Sequence, residues 1–223
     1  MQDPSPARYV RSTLGLKMLM ALTGVILFGF LIGHVAGNLL VFAGAQKLND
    51  YSKFLHHSPG ILWGTRITLL VAVVVHIVVS IMLTKLKADA RPVPYLGKKP
   101  HGSTYASRTM MWSGPIVALF VVYHLLHFTT GHAHPKFDPD NVYANVVVGF
   151  KSFPVGFTYI LAMLAVGLHL SHGLWSMLQT VGLNRPHLEP ALRKIAILVS
   201  ALLVAGFIAV PLAVWTEIVK VSP

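Results

Sequence analysis

The sequence predicts an all-α membrane protein of five transmembrane helices, the first four forming an up-down bundle. Three observations predict it. The 223-residue chain is 54% apolar and only 11% charged. Five apolar stretches each approach the roughly 20 residues that cross about 30 Å of hydrocarbon. None of them has a carboxylate in its interior. Such a composition lies far from the usual globular mixture.

The stretches cover residues 18–42, 61–84, 110–131, 156–180 and 194–216. The first is too long for the apolar region of a cleavable signal peptide and ends in no small-residue cleavage site, so it counts as a span. Turn residues punctuate the connections, as in HHSPG at 56–60 and RPVPYLGKKPHG at 91–102. None of these reads as a domain linker, so residues 1–223 are expected to form a single transmembrane unit. In the segment 132–155, NVYANVVVGFKSF carries Val142, Val146, Val147 and Phe150 at the spacing of a short interfacial helix, with strand-like alternation as the other option.

Basic residues set the expected orientation, because short cytoplasmic loops hold an excess of them. Arg8, Arg11, Lys17, Lys85, Lys87, Arg91, Lys98, Lys99, Arg108, Arg185, Arg193 and Lys194 fall on one side, against Lys47, Lys53, Arg66, Lys136, Lys151 and Lys220 on the other. The N-terminus is therefore expected in the cytoplasm and the C-terminus outside. The net charge of +11 borders membrane spans, where topology and lipid headgroups account for it without a nucleic-acid partner. With no cysteine, the chain offers no disulfide, no thiolate-bound iron–sulfur cluster and no covalent c-type haem attachment.

Six of the twelve histidines lie in apolar spans: His34, His76, His124, His127, His169 and His172. Ionisable groups at that depth are costly and tend to mark function. At about 1.5 Å per residue, His34 and His124 fall in the outer half of the membrane, and His76 and His169 in the inner half. In an up-down bundle the first span faces the third and the second faces the fourth, so the histidines pair across both diagonals at matched depth. Paired imidazoles of this kind are what a bis-histidine b haem requires, and the sequence describes two stacked haems. Gly29, Gly33 and Gly37 beside His34, and Gly167 and Gly173 around His169, offer room for a macrocycle, although close helix packing uses the same residues. Spacing alone leaves two ligands ambiguous, since His124 shares a helix face with His127 and His169 with His172.

The segments FLIGHVAGN, VVVHIV, VVYHLLHF and LHLSHGLWS, in this order across five spans, resemble the dihaem cytochrome b membrane anchor of succinate dehydrogenases and fumarate reductases, cytochrome b558 type, over about residues 12–216. The resemblance implies His34 and His124 as axial ligands of the outer haem and His76 and His169 as those of the inner haem. It leaves His127 and His172 as extra histidines. It further implies a flavoprotein subunit carrying FAD and an iron–sulfur subunit on the cytoplasmic face, with the dicarboxylate chemistry on the partner. Electrons would pass through the inner and then the outer haem to a membrane quinone, with menaquinone as the expected species, within the respiratory chain and the tricarboxylic acid cycle. The expected location is the cytoplasmic membrane of a bacterium or archaeon. A higher oligomer of the complex is left open.

Some fumarate reductases of this type carry a glutamate two positions before the fourth-span ligand, where this chain has Gly167. The same proton route is therefore not expected here. For the quinone, the segment KLNDYSKFLHH supplies Asn49, Tyr51, His56 and His57 near the outer haem's depth, and Arg11, Lys17, Arg108 and Trp112 lie where inner-haem propionates would emerge. His132 and His134 read as members of an exposed loop. The alternative function is a histidine-rich metal or proton transporter, which predicts intramembrane carboxylates and broken helices. A quinol-oxidising bc-type cytochrome needs two histidines about four turns apart on each of two helices, a spacing found in no span here.

Overall fold

A computed structural model describes residues 12–90 and 105–221. Its order is α1 (Thr13–Leu39), a 3-10 turn (Leu40–Ala43), α2 (Ala45–His56), α3 (Pro59–Asp89), α4 (Tyr105–Phe128), α5 (Val142–Lys151), α6 (Phe153–Thr180) and α7 (Glu189–Trp215). Among the described residues there is no strand. The five helices α1, α3, α4, α6 and α7 are long and apolar enough to cross a membrane, so the architecture expected from the sequence is the one found. Arg11 and the segment RPVPYLGKKPHG lie outside the described residues.

Local sequence explains the helix starts. The Ser12 hydroxyl accepts from the Gly15 amide at 3.1 Å and caps α1. Pro59, Pro154 and Pro190 occupy the first turns of α3, α6 and α7, where a missing N–H costs nothing. Gly44, at φ +98°, turns the chain from the 3-10 segment into α2 in a conformation that L side chains rarely adopt.

The large apolar side chains left exposed, Leu70, Leu119 and Leu202 among them, suit a lipid surround. Packing between spans is uneven. The most extensive pair is α6 with α7, followed by α1 with α3 and α4 with α6, and α1 also meets α6 and α7. One expectation is corrected here. An up-down bundle makes consecutive spans neighbours, yet α3 and α4 touch only sparsely, as where Thr84 Oγ1 approaches Met111 Sδ at 3.9 Å. The fifth span, α7, instead closes the bundle against α1 and α6.

Small residues allow these close approaches. A Cβ on Gly206 would stand 2.7 Å from Val35 Cγ2, and one on Gly156 would stand 2.6 Å from the Trp215 ring. That ring is itself fixed, since Trp215 Nε1 donates to the Phe150 carbonyl at 2.8 Å.

The outer end is more ordered than the sequence suggested. KLNDYSKFLHH, for which the sequence suggested no helix, lies in helix α2 up to His56, with His57 as its C-cap. NVYANVVVGFKSF forms α5 as a helix, but Val146, Val147 and Phe150 are buried. They join Val41, Leu48, Tyr159, Val210 and Val214 in one core cluster, so this helix faces the protein core. Asn49 ties the two short helices together. Its amide donates to Asn141 Oδ1 and its carbonyl accepts from the Tyr143 amide, both at 3.0 Å.

Candidate functional site: two tiers of paired imidazoles

The four spans that carry intramembrane histidines bring them together in pairs. His34 on α1 meets His124 on α4 with ring centroids 5.8 Å apart, and His76 on α3 meets His169 on α6 at 6.2 Å. Two imidazole nitrogens each about 2 Å from a shared metal, on rings of about 1 Å radius, put their centroids about 6 Å apart. Both pairs therefore stand at the spacing of two axial ligands on one metal.

Helix rise gives the separation of the tiers. Thr23 touches His76 and so marks the inner tier on α1. His34 lies eleven residues further on, about 16 Å along the axis. Gly114 faces His169 and marks that tier on α4, ten residues from His124, while Tyr159 touches His124 and marks the outer tier on α6, ten residues from His169. Each ten-residue interval gives about 15 Å. Three helices thus agree.

Hydrogen bonding at Nδ1 suits a free Nε2 on two of the imidazoles. The Thr23 hydroxyl lies 2.9 Å from the Leu19 carbonyl, 3.0 Å from the Met20 carbonyl and 3.0 Å from His76 Nδ1. A hydroxyl has one proton. With that proton donated to a helix carbonyl, the oxygen accepts from His76 Nδ1–H, which leaves the Nε2 lone pair available. His124 Nδ1 lies 3.4 Å from the Tyr159 hydroxyl, so Nε2 is again the free nitrogen. In the inner tier His169 Nδ1 is buried with no hydrogen-bond partner among the described residues.

Aromatic rings wall the outer tier. Phe30 stacks on His34 at 5.0 Å, Phe207 approaches the same ring at 5.8 Å, and Phe120 and Phe128 each lie 5.9 Å from His124. Among the described residues, no three or more His, Cys, Asp or Glu side chains group as ligands for a metal ion. The imidazoles come in twos, and each pair would suit a haem, whose iron would need only two ligands from the protein.

The glycines divide. A Cβ on Gly29, Gly33 or Gly173 would meet nothing within 4 Å, so packing within the chain does not require these three to be small. Gly37 and Gly167 are packing sites instead. Tyr51 lies over Gly37, 2.9 Å from where its Cβ would be, and Val204 of α7 stands 3.0 Å from that of Gly167. Gly167 is therefore where α7 packs onto α6.

The extra histidines differ from each other. His127 is fully buried; its Nδ1 lies 2.9 Å from the Tyr159 hydroxyl, and its Nε2 has no partner among the described residues. His172 lies one turn from His169 toward the C-terminal end of α6, and its Nδ1 is likewise unpartnered. Of the outer polar residues, Tyr51 packs within a turn of His34, Asn49 is engaged as described, and His56 and His57 are exposed and bonded to carbonyls of their own helix at 2.8 Å. Lys17 and Arg108 each lie six residues, about 9 Å, from the landmarks Thr23 and Gly114 toward the inner end. Trp112 is exposed, and Arg11 lies outside the described residues.

One loop expectation is corrected. His134 is buried; its Nε2 donates to the Asn145 carbonyl at 2.9 Å and its Nδ1 accepts from the Lys136 amide at 3.0 Å. Both nitrogens are used, so His134 braces the outer segment, while His132 is exposed beside Thr130.

Sequence reasoning missed Thr23 and Tyr159. Thr23 had a legible signal: eleven residues are close to three full helical turns, so it lies on the same face of α1 as His34. Tyr159 carried none beyond being a polar aromatic at lipid depth.

Fold and site together define a class, a multi-pass helical membrane protein whose spans carry imidazoles in two pairs. The chain belongs to the succinate dehydrogenase/fumarate reductase transmembrane subunit family, whose model matches residues 90–216, more than half of its length. It is accordingly a cytochrome b membrane anchor of an oxidoreductase complex, a haem b-binding subunit that does not itself contain the dicarboxylate site. The match covers α4 to α7, so His124, His127, His169 and His172 fall within it and His34 and His76 precede it. No curated relative and no solved structure matches the chain.

Proposed function

We propose that this chain is a dihaem anchor, holding an outer b haem between His34 and His124 and an inner one between His76 and His169. The observation that carries the reading is the pair of imidazole contacts near 6 Å, in two tiers about 15 Å apart, with Nε2 of His76 and His124 left free. The haems, when bound, supply one-electron transfer between an iron–sulfur partner and a membrane quinone, with menaquinone as the species. The chain's own residues hold the rings at fixed depth, keep the ligand imidazoles neutral and oriented, and exclude water from the outer tier with Phe30, Phe120, Phe128 and Phe207.

In this reading the end bearing Lys17, Lys85, Lys87, Arg108, Arg185, Arg193 and Lys194 is cytoplasmic and receives the iron–sulfur subunit, which in turn carries the FAD subunit. Lys17 and Arg108 lie within reach of inner-haem propionates, with Arg11 and Trp112 as further candidates. At the outer end Tyr51 is the foremost quinone contact, supported by its packing beside the His34 turn, and Asn49 and His56 frame it. The physiological direction follows from the partner and the quinone. The test is the haem content of the purified complex, with a reduced-minus-oxidised spectrum. Two b haems per chain are expected; a preparation carrying one or none at full complex integrity overturns the reading.

A further inference from the structure

His127 has the largest side chain fully buried among the described residues, and nothing in the haem-holding role uses it. Its packing does not need an imidazole. The ring stacks on Tyr123 at 5.5 Å and 12°, lies 4.1 Å from Phe128 and stacks on His134 at 5.0 Å, all of which a phenylalanine could do. A nitrogen pair in this setting carries a desolvation cost unless bonded, and only one of the two is. The bond made is the informative part, His127 Nδ1 to the Tyr159 hydroxyl at 2.9 Å.

We propose that His127, acting through the Tyr159 hydroxyl, is a positioning residue for the outer axial ligand His124 and sets the electron density that this ligand presents to iron. The inference rests on the haem-holding reading above. A neutral His124 bound through Nε2 must carry its proton on Nδ1, where the Tyr159 oxygen lies at 3.4 Å. That oxygen can then only accept from His124. Its own proton must go elsewhere, and His127 Nδ1 is the acceptor in place. The direction of the chain is thus fixed: His124 Nδ1–H to Tyr159 O, and Tyr159 O–H to His127 Nδ1.

The remaining proton of His127 sits on Nε2, facing Gly149, where a Cβ would come within 3.1 Å of it. His134, the other imidazole there, cannot take it, because its Nε2 already donates to the Asn145 carbonyl. Hydrogen bonds in series strengthen one another. A tyrosine oxygen whose proton is pulled toward His127 is a better acceptor for His124 Nδ1–H, and a stronger acceptor there makes the ligand more basic and favours oxidised iron. The outer haem is held at a lower potential than His124 alone would give it.

The test is a redox titration of the intact complex, following both haems optically, for Tyr159→Phe, His127→Phe, His127→Gln and the Tyr159→Phe/His127→Phe double variant. The expected result is an upward shift of the outer potential in both single Phe variants, with the inner potential unmoved. The double variant should shift no further than Tyr159→Phe alone, since without the hydroxyl His127 has no route to the ligand. His127→Gln keeps an acceptor and should stay near the native value. An outer potential unchanged in His127→Phe, or additive shifts in the double variant, overturns the proposal. Should His127→Phe fail to assemble, the glutamine variant decides: a shift as large as that of Tyr159→Phe refutes the acceptor role. A native complex without haem would fail the haem-holding reading itself, whereas an unresponsive outer haem fails only this one.

Discussion

Thr23→Val is the sharpest probe of the inner tier. The substitution keeps the shape of the side chain and deletes one oxygen, the acceptor 3.0 Å from His76 Nδ1. Thr23 is buried, so water cannot replace that oxygen, and the Nδ1–H left behind faces apolar surroundings. An unmade hydrogen bond of a buried donor costs about 1–3 kcal/mol. In the proposed site that cost falls on the haem-bound form, where His76 can no longer carry its proton on Nε2 instead. At about 1.4 kcal/mol per factor of ten, inner-haem affinity should fall roughly tenfold to a hundredfold, the range typical for loss of a partner behind a metal-ligating histidine. The assay is haem reconstitution of the haem-depleted complex, with each haem followed by its own optical signal. Thr23→Ser retains the oxygen and should behave as native. Native inner-haem affinity in Thr23→Val, or loss of the outer haem instead, would refute the tautomer argument and with it the placing of the inner tier.

Ligand substitutions should sort by tier: His76→Ala or His169→Ala removes the inner haem and spares the outer, His34→Ala or His124→Ala does the reverse, and haem quantification of each complex reads the result. Gly156→Ala drives a methyl into the Trp215 ring, which its bond to the Phe150 carbonyl prevents from moving away; overpacking of this kind costs about 1–3 kcal/mol, visible as a lower midpoint in detergent-dependent thermal unfolding. Asn145→Ala removes the acceptor of the Asp138 amide, now 2.9 Å away, and the 2.6 Å donor to the Asp138 carbonyl, leaving that carbonyl only the Asn141 amide at 3.2 Å. With those two bonds lost, limited proteolysis should cut the 129–141 segment faster.

The spans and the histidine pairing were legible because both follow from one-dimensional rules. Apolar length marks a crossing, and 1.5 Å per residue converts sequence position into depth. Those rules put His34 level with His124, and the rings indeed meet. They could not show which helices touch, because lipid and helix surfaces are both apolar and leave no pattern to read. The gap between α3 and α4 and the closure by α7 were therefore invisible. α2 was missed for a different reason. KLNDYSKFLHH is polar, and its helix is held by Asn49 bonding to a segment more than ninety residues away, a tertiary cause that no local propensity reports. His134 was misjudged likewise, since its burial depends on Asn145 of α5.

The span without a histidine then acquires a role. α7 meets α1 through Gly206 and Val35, the residue next to His34, and its Phe207 lies 5.8 Å from that imidazole. It meets α6 through Val204 and Gly167, two residues before His169. One helix thus grips the chain beside a member of each tier, on two helices that run in opposite directions. Sliding α1 against α6 by one residue, about 1.5 Å, would shift the two tiers relative to each other, and α7 resists that slide by packing side chains into glycine notches on one partner and presenting a notch to the other. The histidine-bearing helices supply nitrogen; α7 supplies register.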